Sequence, residues 1–300
     1  MSEKKWARAS LRQLSRELGQ AGHAASAPIV VGGLLGKLGF GLRANQKSEE
    51  AGSNHPDRDT QFSYIAKRKA ALITAGEPVI SVDTKKKDLI GNFKNAGQAW
   101  GTEAERVNVH DFPSAADGRA VPYGIYDVAK NRGWVMVGQS ADTPEFAVDA
   151  IASWWEEEGR KSYPGAKRLL ILADGGGSNG ARSRVWKQQM QEQMADRLGV
   201  EVTVCHYPRG CSKYNPIEHR LFSFISLNWA GKPLRSFEAM LGLIRATTTK
   251  AGLKVKATLN EKVYAKGRRV SEAEMKALDL ERHEVCPEWN YTIRPRLANA

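Results

Sequence analysis

The run Leu169-Leu170-Ile171-Leu172-Ala173 ends in Asp174 and opens into Gly175-Gly176-Gly177-Ser178-Asn179-Gly180. Unbroken apolar residues leave no polar face, so a strand made from them is buried on both sides. That is the pattern of a parallel sheet sandwiched between helices. The segment therefore demands neighbouring strands on both edges and helices above and below. Val79-Ile80-Ser81-Val82 runs into Asp83. Val121–Tyr126 and Trp134–Val137 flank the turn Asn131-Arg132-Gly133, and Val200–Cys205 supplies a fifth strand. Helices read from Thr143 to Glu158, from Ala181 to Leu198, and onward from Asn215-Pro216. The order β-β-β-α-β-α-β-α implies an α/β fold with a mixed sheet and helices on its faces.

Before this unit, Leu11, Leu14 and Leu18 recur at helical spacing, with Gly19 and Gly22 closing the segment. Ser26 could cap a second helix with Pro28 in its first turn, Ile29, Leu34, Leu35 and Leu38 on its apolar face and Gly39 at its end. The pair reads as a helix-turn-helix or as a plain helical hairpin. Lys47–Asp59 is a polar linker, and Phe62 to Ala75 a lead-in helix. The most apolar stretch, Ala27 to Leu42, is interrupted by five glycines and Lys37, too broken to span a bilayer. The N-terminus lacks the apolar region of a secretory signal. Three cysteines without a C-x-x-C pattern suit a reducing cytosol.

Charge narrows the partner. The chain carries net +12, and residues 1–70 and 231–300 each hold +6 around a neutral centre. Two basic flanks suit a polyanion, or simply solubility.

Three acids sit at element ends. Asp83 follows the first strand and Asp174 the fourth, where open α/β sheets bind ligands. Asn215 reads as an N-cap and Pro216 as the first helical residue, which puts Glu218 in the first turn, at the head of a face continued by Leu221, Phe222 and Ile225. Each acid alone reads equally as a solvated loop residue or a cap. Converging, they would repel one another unless a cation sat among them, and hard divalent ions such as Mg²⁺ take oxygen ligands.

The strings ISVDTKKKDLIGNFKNAGQAW (80–100), HDFPSAADGRAVPYGIYDVAKNRGWV (110–135), LLILADGGGSNGARSRVWK (169–187), SKYNPIEHRLFSFISLNWAGKPL (212–234) and EWNYTI (288–293) resemble the ISAzo13-like family of bacterial insertion-sequence transposases. The resemblance implies a DDE transposase with an RNase H-like, mixed five-stranded sheet and helices on both faces. It places the triad on Asp83, Asp174 and Glu218 as catalytic residues and metal ligands. It further implies Mg²⁺, with Mn²⁺ as a substitute, transposon-end and target DNA as partners, and a homo-oligomer on DNA. A bacterial, nucleoid-associated cytoplasmic protein with no membrane partner is expected. The domains expected are a helix-turn-helix-like DNA-binding segment at 1–46, linker and lead-in helix at 47–76, catalytic core at 77–234 and a basic C-terminal extension at 235–300. Family members usually extend further at the N-terminus, so the first segment is expected to be shortened. Its second helix carries Ile29, Val30, Gly33 and Gly36 where polar or basic residues are usual, which argues against base readout there.

Other features compete. Lys85, Lys86 and Lys87 after Asp83, with Arg209, Lys213, His219 and Arg220 around Glu218, are candidate DNA contacts or a charged surface. The basic stretch holding Lys254, Lys256, Lys262, Lys266, Arg268 and Arg269 could track a DNA backbone or merely be a charged surface. Gly175, Gly177 and Gly180 match G-x-G-x-x-G, which raises a dinucleotide-dependent oxidoreductase as an alternative, but no acid follows the next strand to hold a ribose. A DNA-binding protein without catalysis is the other alternative. Cys205, His206, Cys211 and His219 match no familiar zinc spacing. Trp154 and Trp155 read as core; Asp88, Asp111, Asp127 and Asp142 are alternative metal acids, with Asp127, at a strand end, the first substitute should Asp83 fail.

Overall fold

In the computed structural model, which describes residues 10–23, 28–40 and 55–296, the apolar run becomes β5 (Arg168–Ala173), fully buried from Leu169 onward. It pairs in parallel with β1 (Val79–Thr84) on one side and β6 (Glu201–His206) on the other. On the far side of β1, β3 (Gly118–Asp127) and β4 (Arg132–Gly138) continue the sheet antiparallel, as their intervening turn requires. The order β4-β3-β1-β5-β6 is the RNase H-like arrangement.

Among the described residues four further strands enlarge the expected five to nine. β7 (Lys254–Asn260) extends β4 in parallel, β9 (Asn290–Ile293) lies antiparallel on β6, β8 (Leu280–Arg282) pairs with β9, and β2 (Asp88–Ile90) pairs with β3. The stretch expected as a basic extension thus supplies three strands of this sheet, β7, β8 and β9. In β7 the sequence Lys254-Val255-Lys256-Ala257 alternates exposed and buried, and lysines on the outer face are how an edge strand resists pairing with other chains. The same lysines disguise the strand as a basic tract. Beyond it, Lys262 pairs with Asp149 and Tyr264 donates a hydrogen bond to the same carboxylate, so this loop straps onto a helix.

That helix is α4 (Pro144–Trp154), capped by the Thr143 hydroxyl with Pro144 at its first position, and continued by a π-helical turn Trp155–Gly159 into α5 (Arg160–Ser162). With α6 (Arg184–Gln189, π-helical from Met190 to Asp196) it covers one face of the sheet. Ile80, Val82, Tyr123, Ile125 and Trp134 from the strands pack there with Phe146, Ile151, Trp186 and Met190. Trp154 and Trp155 are core, each 4% exposed. Each such large side chain contributes about 1.5–3 kcal/mol on burial.

The opposite face receives three elements. α3 (Arg58–Thr74), starting earlier than the expected Phe62, packs Ile65 against Val79, Leu170 and Leu172. A helix opening at Pro216 runs through a π-helical turn, Glu218–Phe222, into α7 (Ser223–Asn228). It packs Ile217, Leu221, Phe222 and Ile225 against Tyr126, Val135 and Val137, beside α8 (Phe237–Arg245). It can approach this closely because Gly124 and Gly133 face it. A Cβ at 124 would stand 2.4 Å from Phe222 Cε1, and one at 133 2.4 Å from Leu221 Cδ1. A short helix, α9 (Glu272–Lys276), opens on a capping box at Ser271.

The chain divides into two units, residues 1–50 and 51–300. The first contains α1 (Leu11–Gln20), capped by Ser10, and α2 (Pro28–Lys37), which begins at Pro28. Gly22 and Gly39 follow these helices at φ +82° and +78°, which glycine adopts without steric cost. The expected cap Ser26, and most of the linker at 47–59, lie outside the described residues. Among the described residues no helix is long and apolar enough to cross a membrane.

Candidate active site

Parallel pairing of β1 with β5 sets Val82 opposite Ala173. One step further along the same register stand Asp83 and Asp174, at the carboxyl ends of two adjacent strands. Strand alternation puts Ser81 and Asp83 on the face covered by the helix after Asn215. That helix carries Glu218, half-buried in its π-helical turn.

The three carboxylates feel one another. Burial pushes Asp83 up to about 8, and the charges of Asp174, Glu218 and Asp142 add to it against a hydrogen bond from the Thr84 amide. Burial likewise raises Asp174 to about 6, opposed by a hydrogen bond from Asn215 and reinforced by Glu218. Among the described residues no Lys or Arg forms a salt bridge with any of the three. Nor do any three His, Cys, Asp or Glu side chains among them stand close enough to hold one ion jointly. The donor chemistry nonetheless fits a hard cation: two partly buried aspartates, side by side, with no salt-bridge partner among the described residues.

Asn215 ties the site together. Fully buried, its amide donates to Asp174 Oδ1 at 3.1 Å and to the Val82 carbonyl at 3.3 Å, while its own oxygen accepts from the Ser81 hydroxyl. Ser81 Oγ in turn accepts from the Ile217 amide at 3.0 Å. One side chain thereby joins β1, the end of β5 and the start of the Glu218 helix. The expected cap is therefore corrected: the Asn215 side chain bonds the sheet, and only its carbonyl meets the Glu218 amide, at 3.1 Å. Nothing local in the sequence could direct that side chain to a partner 41 residues away.

An open cleft of about 830 Å³ lies over the two aspartates. Lys85, Lys86, Lys87 and Arg209 line it, as does Arg119, which sequence reasoning missed. Lys85 lies over the Trp229 ring and pairs with Asp88, and Lys87 pairs with Asp142. Lys213, His219 and Arg220 are exposed and do not line it. His219 Nε2 donates to the Lys213 carbonyl, and Arg220 exerts its charge on Tyr126. Asp127, the substitute acid, pairs with Ile80 in register, toward the other end of β1, and accepts hydrogen bonds from Tyr163 and the amides of residues 129 and 130. Gly175 to Ser178 line the cleft, but α6 starts only at Arg184, so no α-helix N-terminus meets the glycines to hold a pyrophosphate.

This geometry fixes a pH dependence. At low pH both aspartates are protonated whether the chain is folded or not, and the pair costs nothing. As pH rises past 4 the unfolded chain ionises first, while the folded chain holds protons to about 6 at Asp174 and about 8 at Asp83. Folding then takes up protons, so this pair lowers stability progressively from about pH 4 to about pH 8. Thermal melting in chelator should show that loss, and added Mg²⁺ should restore more stability at pH 8 than at pH 5. Equal restoration at both values would contradict it.

Residues 1–295 match the family described as Rhodopirellula transposase DDE domain. No curated protein matches the chain. Among solved structures it is similar to the Mos1 transposase paired-end complex with left transposon end, at 11% identity over 80% of this chain and 70% of that one, TM-score 0.47. It is also similar to the Mos1 strand transfer complex, at 12% identity over 80% and 70%, TM-score 0.46.

Proposed function

The chain belongs to the transposase DDE-domain family, and from that premise we propose that Asp83, Asp174 and Glu218 carry its strand cleavage and strand transfer with Mg²⁺. As a DDE transposase it is a polynucleotidyl transferase and endonuclease. The dinucleotide-dependent alternative falls with the loop geometry at 175–180. The observation that carries the residue assignment is the uncompensated pair Asp83 and Asp174 at neighbouring strand ends, beneath a cleft walled by lysine and arginine.

Asp83 and Asp174 would hold the metal, with Glu218 completing the set from its helix. Bound divalent ions lower the pKa of an attacking water or hydroxyl and stabilise the leaving oxygen. In cleavage, a water oxygen bonds the scissile phosphorus, its proton leaves to solvent, and the P–O3′ bond breaks to free a 3′-hydroxyl. In transfer, that 3′-oxygen bonds a target phosphorus and releases the target's own 3′-hydroxyl. The chain's part is positional: Asn215 fixes Asp174, and Arg119, Lys86 and Arg209 meet phosphate oxygens along the cleft. The segment with α1 and α2 is the candidate end-binding module, and a homo-oligomer would bring two ends together.

The test is incubation of the full chain with labelled duplex carrying its own flanking ends. Nicking with Mg²⁺ and none in chelator supports the reading. Protein that binds the ends yet never nicks in Mg²⁺ or Mn²⁺ overturns it in favour of a DNA-binding protein without catalysis.

A further inference from the structure

The segment EWNYTI at 288–293 contributes no member of the triad, yet its last four residues form β9 against β6, and its tyrosine reaches back toward the site. Three fully buried side chains, Trp186, Tyr291 and His206, form a chain of hydrogen bonds ending on the main chain of Asp174. Trp186 Nε1 lies 2.9 Å from Tyr291 Oη, Tyr291 Oη 3.3 Å from His206 Nε2, and His206 Nδ1 3.0 Å from the Asp174 carbonyl oxygen.

Every link has one direction. A carbonyl oxygen only accepts, so His206 Nδ1 carries the proton. The indole N–H can only donate, so Tyr291 Oη accepts from it, and the tyrosine hydroxyl proton is left with Nε2 as its acceptor among the described residues. Nε2 is then the unprotonated nitrogen of the ring. We propose that Tyr291 and His206 are positioning residues for Asp174: Tyr291 locks the Nδ1–H tautomer of His206, and that N–H anchors the end of β5 from which the Asp174 carboxylate departs. The inference rests on the reading of Asp174 as a metal ligand.

Without the tyrosine hydroxyl, Nε2 has no donor and the other tautomer becomes available. That tautomer sets a nitrogen lone pair against the Asp174 carbonyl, and the repulsion displaces the strand end. Partners of this outer kind tune metal affinity about 10–100-fold in known sites. Tyr291→Phe is therefore expected to raise the Mg²⁺ concentration for half-maximal cleavage about tenfold, with end-DNA binding retained. His206→Asn keeps a donor near the Nδ1 position, whereas His206→Gln moves it toward Nε2, so the asparagine variant should need less Mg²⁺ than the glutamine variant. Because Tyr291 acts through His206, Tyr291→Phe should add no further Mg²⁺ requirement in the His206→Asn background.

Nitrogen NMR of the unmutated full chain should show His206 as the neutral Nδ1–H form. An Nε2–H tautomer or an imidazolium overturns the proposal, as does an unchanged Mg²⁺ requirement in Tyr291→Phe, or equal requirements in the two His206 variants. These failures are separable from failure of the functional reading, which would appear instead as cleavage surviving Asp174→Asn.

Discussion

Asp174→Asn is expected to abolish strand cleavage while end-DNA binding persists. The substitution is nearly isosteric, and an amide oxygen at position 174 can still accept the hydrogen bond that Asn215 gives Asp174 Oδ1 at 3.1 Å. What disappears is the charge that would hold a cation. Metal stabilisation of the reacting oxygens is worth several kcal/mol, and each 1.36 kcal/mol is tenfold in rate, so the loss should reach about a thousandfold or more. Asp83→Asn should behave likewise, since Asp83 follows the same register one strand over.

A second readout separates this from simple damage. In chelator at pH 8 both variants should melt above the unmodified protein. Each removes a partly buried carboxylate that burial and its neighbour already push toward the neutral form, to about 6 for Asp174 and about 8 for Asp83. Relief of about 1–3 kcal/mol is the right order, read as a rise of several degrees in Tm. Cleavage at more than about a tenth of the normal rate, or a lower Tm in both variants, would sink the assignment.

Gly124→Val is expected to cost both stability and cleavage without touching an acid. Gly124 pairs directly with Asp83 across β1 and β3, and the helix bearing Glu218 lies over it. The first carbon of any side chain there meets Phe222 Cε1 at 2.4 Å, Phe222 Cζ at 2.7 Å and Ile217 Cδ1 at 2.9 Å. Phe222 and Ile217 are both buried, so the helix must lift from the sheet, carrying Glu218 with it. Overpacking of this kind costs about 1–3 kcal/mol, which for a chain of this size is a Tm drop of several degrees. Cleavage should fall more steeply than stability, because a misplacement of about 1 Å in a catalytic group can cost a hundredfold. Gly242→Ala, on α8 with nothing within 4 Å of the added carbon, is the control and should be neutral or slightly stabilising. A Gly124→Val protein with unchanged Tm and cleavage would show that the helix does not depend on this contact.

The strands carrying Asp83 and Asp174 were legible because local chemistry dictates them. An apolar run buried on both faces has one structural solution, and strand alternation fixes which side chains share a face. The same reasoning placed Pro216 at a helix start and Trp154 and Trp155 in the core. It failed where local pattern and partner part company. In β7 the exposed lysines of an edge strand read as a basic tract, and the strand itself went unseen. β9 is four residues long, too short to show a period. Glu218 was assigned α-helical spacing, whereas its turn is π-helical, packed by Leu221 and Phe222 into the space above Gly124 and Gly133.

By itself, then, the amino-acid order determined the central strands, the helices between them and the two aspartates at strand ends, because neighbours a few residues apart set backbone periodicity and burial. Only the tertiary structure decided that Ser81, Asn215 and Asp174 share one hydrogen-bond network, that Tyr291 reaches His206, and that β7, β8 and β9 complete the sheet. The cost of closing a loop grows only slowly with its length, so spacing along the chain says almost nothing about which distant side chains meet. That choice is made by the fit of buried faces and by the need of every buried polar group for a partner.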